Sequence, residues 1–107
     1  MSPLNITHHD AVTGPVLHVG GDLDYAQATA LREQVESLAL SPGQNLTIDL
    51  SGLEYCDSTG LTVLLAARQR AQTAGADMAL AAVPADTLRI LTITGLDQIF
   101  TIRPGSA

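Results

Sequence analysis

The chain has 107 residues, and five basic against eleven acidic side chains give a formal net charge of 5 − 11 = −6. This length suits one domain, and 46% hydrophobic with 15% charged residues indicates a folded chain with a compact core. The negative charge and the three aromatic residues disfavour a nucleic-acid-binding surface, and a single cysteine excludes an internal disulfide and a cysteine-based metal cage.

The amino terminus and the lengths of the apolar runs indicate where in the cell the protein is located. Residues 1–5 carry no basic segment and lead into no apolar stretch, so they do not form a secretory signal. The longest apolar run falls far short of the ~20 residues that span a bilayer. We therefore expect a cytoplasmic protein without a membrane segment.

A hairpin is predicted at the start of the chain. Residues 16–19 have the character of a strand and follow a turn at residues 13–15. Residues 5–9 can pair with that strand across the turn. Gly20 and Gly21 are expected to end it.

The first helix is predicted to begin at Asp24. An aspartate is a good N-cap, and Gln27 three residues later has the spacing of a capping box. Residues 41–43, Ser-Pro-Gly, stop the helix. Its core-facing side follows the helical period through Ala28, Leu31, Val35 and Leu38.

The middle of the chain predicts two strands around a long helix. Residues 46–50 alternate cleanly as a strand, and residues 51–56 are interpreted as a connecting loop. Residues 58–74 have helical spacing, and Gly75 is expected just after the end of that helix. Residues 78–83 are apolar throughout, which suits a strand covered on both faces.

The last elements are predicted to be a short helix and a short strand. The helix starts near Pro84 and ends at Gly95, residues 99–102 form the strand, and residues 103–107 are a frayed end. The predicted order is therefore β-β-α-β-α-β-α-β. This alternation predicts an α/β fold, with one small mixed, largely parallel sheet and helices packed on it. The chain is one domain with its core at about residues 5–102.

The three histidines do not predict a metal site. His8 and His9 are neighbours on a strand, so their side chains point to opposite faces. His18 lies on the next strand, and the spacing supplies no acidic partners for a metal. We expect no metal ion in this protein.

The segment from Tyr55 to Leu61 is the most informative, because three polar residues and a glycine come where the chain enters the second helix. Asp57 or Ser58 is predicted to cap that helix by accepting backbone N–H bonds. A glycine in the first turn costs roughly 1 kcal/mol relative to alanine. Gly60 is therefore expected to admit the close approach of another molecule.

Catalysis by this segment is disfavoured. Cys56-x-Ser58-x-Gly60 resembles a nucleophile elbow, but that arrangement needs a later histidine, and all three histidines precede Ser58. An aspartic-protease loop has another glycine spacing and needs a second copy. No glycine-rich phosphate loop occurs. We expect a protein that is not an enzyme and has no catalytic residues and no cofactor.

Ser58 is interpreted instead as a hydroxyl that another protein phosphorylates. A phosphate adds about −1.5 to −2 charges. The N-terminus of a helix carries roughly +0.5 of an elementary charge and unpaired N–H groups, so it can hold a phosphate without refolding. Phosphorylation would then act on a partner and not on the fold.

Three motifs occur in order along the chain. Residues 21–24 read Gly-Asp-Leu-Asp, residues 57–61 read Asp-Ser-Thr-Gly-Leu, and residues 94–100 contain Thr-Gly-Leu and then Ile-Phe. Their order and spacing resemble the STAS domain family, in the branch of bacterial anti-sigma factor antagonists. The similarity runs from about residue 5 to about residue 102.

The resemblance implies a fold and a function. Family members fold as a small sheet with helices packed on it. In this branch the unphosphorylated antagonist binds an anti-sigma factor, which is often a serine kinase, and the sigma factor is released. The kinase phosphorylates the serine after the motif aspartate, here Ser58, and a PP2C-type phosphatase resets it. Asp24 and Asp57 would lie beside that serine in the partner surface with Thr59, a secondary acceptor, and Gly60.

The chain also departs from the family. Asp22 stands where glutamate is usual, which we expect to affect partner choice, and Cys56 is interpreted as a small buried hydrophobic residue. The helix that many members carry after the last strand is absent or cut off here. Two other functions stay open: an unphosphorylated scaffold subunit of a signalling or lipid-transport complex, and a small module that binds a nucleotide or a lipid.

Overall fold

A computed structural model describes residues 2–104, which form one six-stranded sheet with three α-helices. The strands are β1 (Asn5–Ala11), β2 (Gly14–Leu23), β3 (Asn45–Asp49), β4 (Leu53–Cys56), β5 (Asp77–Ala81) and β6 (Thr101–Arg103). The helices are α1 (Ala28–Ser37), α2 (Ser58–Thr73) and α3 (Ala85–Thr94), followed by a 3-10 turn at Leu96–Gln98. No helix within residues 2–104 has the length and apolar character needed to cross a membrane.

The sheet has the predicted mixed character. β1 and β2 form the predicted antiparallel hairpin, and every other strand pair is parallel, in the order β1-β2-β3-β5-β6. The α/β fold with a largely parallel sheet is therefore confirmed. The hydrophobic core includes one row of paired residues across three adjacent strands, formed by Leu17, Ile48 and Leu80, all fully buried.

The loop predicted at residues 51–56 is wrong in its second half. Residues Leu53–Cys56 form β4, which pairs with the end of β2 and lies off the main strand order. Only the two end residues of this short strand are buried, whereas Glu54 and Tyr55 are exposed. That pattern has neither the alternation nor the continuous apolar run that predicts a strand.

The glycine pair in β2 bends the strand and does not end it. The pairing register shifts between Gly21 and Asp22, and Gly21 has a φ of +83°. A side chain at Gly21 would collide with the backbone of Pro3. β2 pairs with β3 over Val16–His18 and with β4 over Gly21–Leu23, and the shift lies within the second pairing, where Glu54 of β4 is the extra residue.

α1 begins later than predicted. Its N-cap is Gln27, which makes no side-chain capping bond. Asp24 instead stabilises the turn before the helix, because its Oδ1 accepts a hydrogen bond from the Gln27 N–H at 3.1 Å. The Gln27 side chain accepts from the Leu4 N–H, so the predicted capping box does not form.

The end of α1 is capped from α2. The guanidinium of Arg70 donates to the carbonyl oxygens of Val35 at 3.0 Å, Glu36 at 2.8 Å and Leu38 at 3.1 Å. The Val35 carbonyl also accepts from the N–H of the C-cap residue Leu38 at 3.1 Å. The last carbonyl groups of a helix otherwise lack partners within the helix, and a cation is favoured at this negative end. Arg70 therefore joins the two helices that lie beside the candidate site.

The remaining elements occur as predicted, with shifted ends: β3 is Asn45–Asp49 and not 46–50, and β5 is Asp77–Ala81 and not 78–83. α2, the buried strand β5 and the end of α3 at Gly95 are confirmed. The last strand is Thr101–Arg103 and not 99–102, because the 3-10 turn continues until the Phe100 N–H bonds to the Leu96 carbonyl. Arg103 thus belongs to β6 and not to a frayed end, and the rest of the predicted tail from residue 105 lies outside the described residues.

Candidate functional site

The end of β2 and the end of β4 place two motifs side by side. The strands are parallel, and Leu23 lies opposite Cys56. Asp24 and Asp57, which directly follow the two strands, therefore emerge at the same edge of the sheet. The Asp57 N–H donates to the Leu23 carbonyl at 3.3 Å, which fixes the two segments together.

Asp57 holds this edge with both carboxylate oxygens. Its Oδ1 accepts from the Gly60 N–H at 3.0 Å, so Asp57 is the N-cap of α2, as predicted. Its Oδ2 accepts from the Tyr25 N–H, also at 3.0 Å. One carboxylate therefore orients the start of α2 and the loop after β2 relative to each other.

Ser58 is the first residue of α2 and is exposed. Its hydroxyl makes no hydrogen bond to any residue within 2–104, whereas its carbonyl accepts from the Thr62 hydroxyl at 2.9 Å. Thr59 is half-buried and lines a small cleft with Arg32. The Ser58 oxygen is thus accessible to an enzyme, and its replacement breaks no hydrogen bond to the part of the chain that the structure describes.

Gly60 is buried, and its lack of a side chain has an internal cause. A Cβ atom there would lie 2.5 Å from the Leu23 carbonyl oxygen and 2.9 Å from the Cys56 Sγ. The close packing of α2 on the end of β2 therefore explains why residue 60 is a glycine. Approach by another molecule, the reason expected from the sequence, is not needed. Gly60 therefore affects the surface around Ser58 only indirectly, because it lets the start of α2 lie close to β2.

A shallow groove of about 600 Å³ opens at this edge, beside Asp57. It is lined by Asp22, Asp24, Tyr25, Ala26, Tyr55 and Asp57. Asp22 is only 8% exposed, and its Oδ2 accepts from the Ser2 N–H at 3.2 Å. We call this the acidic groove.

The two tyrosines of the acidic groove are missed by the sequence analysis. Tyr25 is 81% exposed and Tyr55 is 54% exposed. Two of the three aromatic residues of the chain thus border one groove. The available signal was their position: Tyr25 follows the motif residue Asp24, and Tyr55 comes two residues before Asp57.

The histidines lie on the strands and not in the acidic groove. His8 contacts Asp10 at 3.0 Å, whereas its neighbour His9 stacks on His18 with ring centroids 5.1 Å apart. His18 in turn faces Asp49 at 3.6 Å. Within residues 2–104 no group of three or more His, Cys, Asp or Glu side chains could hold a metal ion.

Burial raises the pKa of the Cys56 thiol from 9.0 to about 11, and the negative charge of Asp57 adds to the effect. The folded state then holds this proton more tightly than the unfolded state. The contribution of Cys56 to the free energy of unfolding should therefore be constant below about pH 9 and fall between about pH 9 and about pH 11, by up to about 3 kcal/mol.

This dependence can be measured by urea unfolding at about pH 8 and about pH 10, followed by circular dichroism. The variant Cys56→Ala has no thiol to ionise, so it should lose less stability over the same interval. Equal losses in both proteins would contradict the assigned shift.

Comparisons of the sequence and of the fold with known proteins identify relatives of this chain. Residues 7–104 match the family described as "Mlab, STAS domain". The chain is 33% identical to the anti-sigma-B factor antagonist of Bacillus subtilis, over 80% of this chain and 78% of that protein. It is 31% identical to the protein of the same name from Listeria monocytogenes, over 81% and 76%. The crystal structure of an anti-sigma factor antagonist from Mycobacterium paratuberculosis superimposes with a TM-score of 0.81 at 27% identity, covering 94% of this chain and 85% of that one.

Proposed function

The chain belongs to the STAS domain family, and on this premise we propose that it is an anti-sigma factor antagonist switched by phosphorylation of Ser58. The names of its relatives support the first part of the proposal. The observation that supports the second is the exposed Ser58 hydroxyl, which makes no hydrogen bond to any of the described residues and lies at the start of a 16-residue helix.

In this proposal the unphosphorylated chain binds an anti-sigma factor, and the sigma factor is released. The contact surface is the edge of the sheet around Ser58, where Asp24, Asp57 and Thr59 reach solvent. Asp22 contributes its charge from below the surface, and Gly60 contributes through the position of α2. The chain acts by binding, and we propose no catalytic step of its own.

Phosphorylation transfers the γ-phosphoryl group of ATP to the Ser58 Oγ, with release of ADP and of the hydroxyl proton. Because Asp57 already accepts two backbone N–H bonds, we assign activation of the hydroxyl to the kinase. We propose that the anti-sigma factor carries this serine kinase activity, that a PP2C-type phosphatase removes the phosphate, and that the cycle takes place in the cytoplasm.

The test is native mass spectrometry of the chain after incubation with the kinase that co-purifies with it and ATP. We expect one phosphate on the wild type, one on the matched control Thr59→Ala, and none on Ser58→Ala. A phosphate on another residue with Ser58 unmodified would contradict the assignment.

Two other outcomes would redirect the proposal. A chain that is never phosphorylated and co-purifies with membrane-transport subunits would favour the scaffold function. A ligand-dependent rise in the melting temperature with GTP, ATP or a fatty acid would favour a small-molecule module, since a ligand at 100 times its Kd adds about 2.7 kcal/mol.

A further inference from the structure

We propose that His9 and His18 form a binding site for a divalent transition-metal ion of the zinc and copper class, with Asp49 holding the His18 ring in place. The three residues lie on β1, β2 and β3, and none of them lines the acidic groove. The inference goes beyond the proposed function and does not rest on it.

The pairing of three strands brings these side chains together. His9 pairs with Val16 in the hairpin, so its diagonal neighbour is His18, two residues further along β2. His18 lies directly opposite Asp49 on β3. His8, the neighbour of His9 in the sequence, points to the other face of β1. The pair able to share a metal ion is therefore His9 with His18, and this replaces the expectation that the histidines hold no metal.

The distance between the two facing nitrogen atoms suits a metal ion. The His9 Nδ1 and the His18 Nε2 are 3.3 Å apart, and the ring centroids are 5.1 Å apart. Two nitrogen ligands at about 2.0–2.1 Å from a tetrahedral zinc ion stand about 3.3–3.4 Å from each other. His9 is exposed and the His18 side chain is 40% exposed, so the rings can rotate to aim both lone pairs at one ion.

Asp49 determines which nitrogen of His18 is available. Its Oδ1 accepts from the Ser51 N–H at 2.9 Å, and its Oδ2 faces the His18 Nδ1 at 3.6 Å. This buried carboxylate favours a hydrogen on the Nδ1, which leaves a lone pair on the Nε2. A carboxylate behind a histidine is also the usual arrangement at zinc ions, where it orients the ring.

Metal binding would exchange one hydrogen bond for two coordinate bonds. With the His18 hydrogen on Nδ1, the His9 Nδ1–H donates to the His18 Nε2 in the metal-free pair. On binding, the hydrogen of the neutral His9 ring moves from Nδ1 to Nε2. Both facing lone pairs then bind the ion, and neither neutral ring loses a proton overall.

The ligands select the class of ion and its affinity. Neutral imidazole binds zinc, copper and nickel, whereas magnesium and calcium require oxygen ligands. No group of three or more such side chains occurs within residues 2–104, so water or another molecule completes the coordination. With two of the four ligands of a structural zinc site, we expect a Kd of about 1–200 μM. A filled site would clamp the edge strand β1 to β2.

The probe is zinc chloride, titrated into the ¹³C,¹⁵N-labelled chain at about pH 7.5, where an ordinary histidine is mostly neutral. NMR of the imidazole rings should show saturable shifts at His9 and His18, with a Kd in the range given above. Copper chloride, measured by calorimetry, should bind more tightly than zinc. Magnesium chloride at the same concentrations should shift neither ring.

Substitutions assign the ligands. His9→Ala and His18→Ala should each weaken zinc binding at least about tenfold, since one imidazole remains. The matched control His8→Ala, on the other face of β1, should bind zinc as the wild type does. All three histidines are exposed or half-buried, so these variants should fold, which the amide spectrum reports.

Asp49→Asn tests the positioning residue. Asparagine keeps an oxygen for the Ser51 N–H but offers the His18 Nδ1 an N–H donor in place of a carboxylate. Zinc binding should weaken about tenfold or more. The ring ¹⁵N shifts of the metal-free variant should also show that the hydrogen is no longer held on the His18 Nδ1, a change that loss of packing alone would not produce.

The proposal is overturned if zinc shifts the His8 ring as strongly as those of His9 and His18, or if the shifts do not saturate below about 1 mM. It is also overturned if His8→Ala weakens binding as much as His9→Ala does. Unchanged zinc binding by Asp49→Asn would overturn the role of the carboxylate. Because the titration uses neither kinase nor partner, these failures are distinct from a failure of Ser58 phosphorylation.

Discussion

Replacing Ser58 with aspartate is expected to weaken binding to the anti-sigma factor about 100-fold, which corresponds to about 2.8 kcal/mol. The new carboxylate would stand beside Asp57 and near Asp24 in a surface that the partner must desolvate. The Asp57 carboxylate is held by the N–H groups of Gly60 and Tyr25, so it cannot turn away from the added charge. An unpaired charge buried against a partner carries this order of cost.

The same substitution should leave the fold intact. The Ser58 hydroxyl has no hydrogen bond to lose within residues 2–104, and a negative charge is favoured at the N-terminus of a helix. We expect the free energy of unfolding to be unchanged or to rise by about 0.5 kcal/mol. Loss of binding without loss of stability separates a switch from a damaged protein.

Isothermal titration calorimetry with the co-purified anti-sigma factor measures the effect. Ser58→Ala should bind as the wild type does. Ser41→Asp, in the exposed loop between α1 and β3, makes the same change in net charge, from −6 to −7, and should also bind normally. If Ser58→Asp binds as tightly as these two controls, the proposed switch is wrong.

The sequence predicts those elements whose local pattern is strong. α2 and β5 are confirmed because a long helical stripe and a continuous apolar run leave few alternatives. β4 is missed because only Leu53 and Cys56 are buried in it, and its partner is the distant end of β2, residues Gly21–Leu23. Its existence depends on a long-range pairing that no local pattern reports.

In the candidate site, too, some residues can be predicted from local sequence patterns and others depend on long-range strand pairing. Asp57 and Ser58 are found by their place at the start of a helix, which is local information. The acidic groove could not be predicted in this way, since Asp22 on β2 and Asp24 just after it meet Tyr55 on β4 only through the parallel pairing of the two strands. The sequence alone does not distinguish a tyrosine in the core from an exposed one, and only the structure shows that Tyr25 and Tyr55 are exposed to solvent.

Gly60 supports this site from beneath, and Gly60→Ala is expected to destabilise the protein by about 2–3 kcal/mol. The added Cβ would lie 2.5 Å from the Leu23 carbonyl oxygen and 2.9 Å from both the Cys56 Sγ and the Leu23 Cγ. One of these contacts is to backbone, so rotation of a side chain cannot relieve it. The start of α2 must move away from β2.

That movement would reach the functional surface. The Asp57 N–H bonds to the same Leu23 carbonyl, and the Asp57 carboxylate bonds to the Gly60 N–H. Displacement of the helix start therefore disturbs the cap and the Tyr25 loop together. We expect Gly60→Ala to bind the anti-sigma factor more weakly, even at temperatures at which it remains folded.

Thermal unfolding followed by circular dichroism measures the change, and a loss of 2–3 kcal/mol corresponds to a decrease in Tm of about 10 °C or more in a domain of this size. The matched control is Gly52→Ala. Its Cβ would have one neighbour, the Gly20 Cα at 3.4 Å, and Gly52 does not require a left-handed backbone. Gly52→Ala should be neutral or slightly stabilising, because alanine restricts the unfolded chain. If the two variants unfolded at the same temperature, the close contact of α2 with β2 would not be the reason for glycine at position 60.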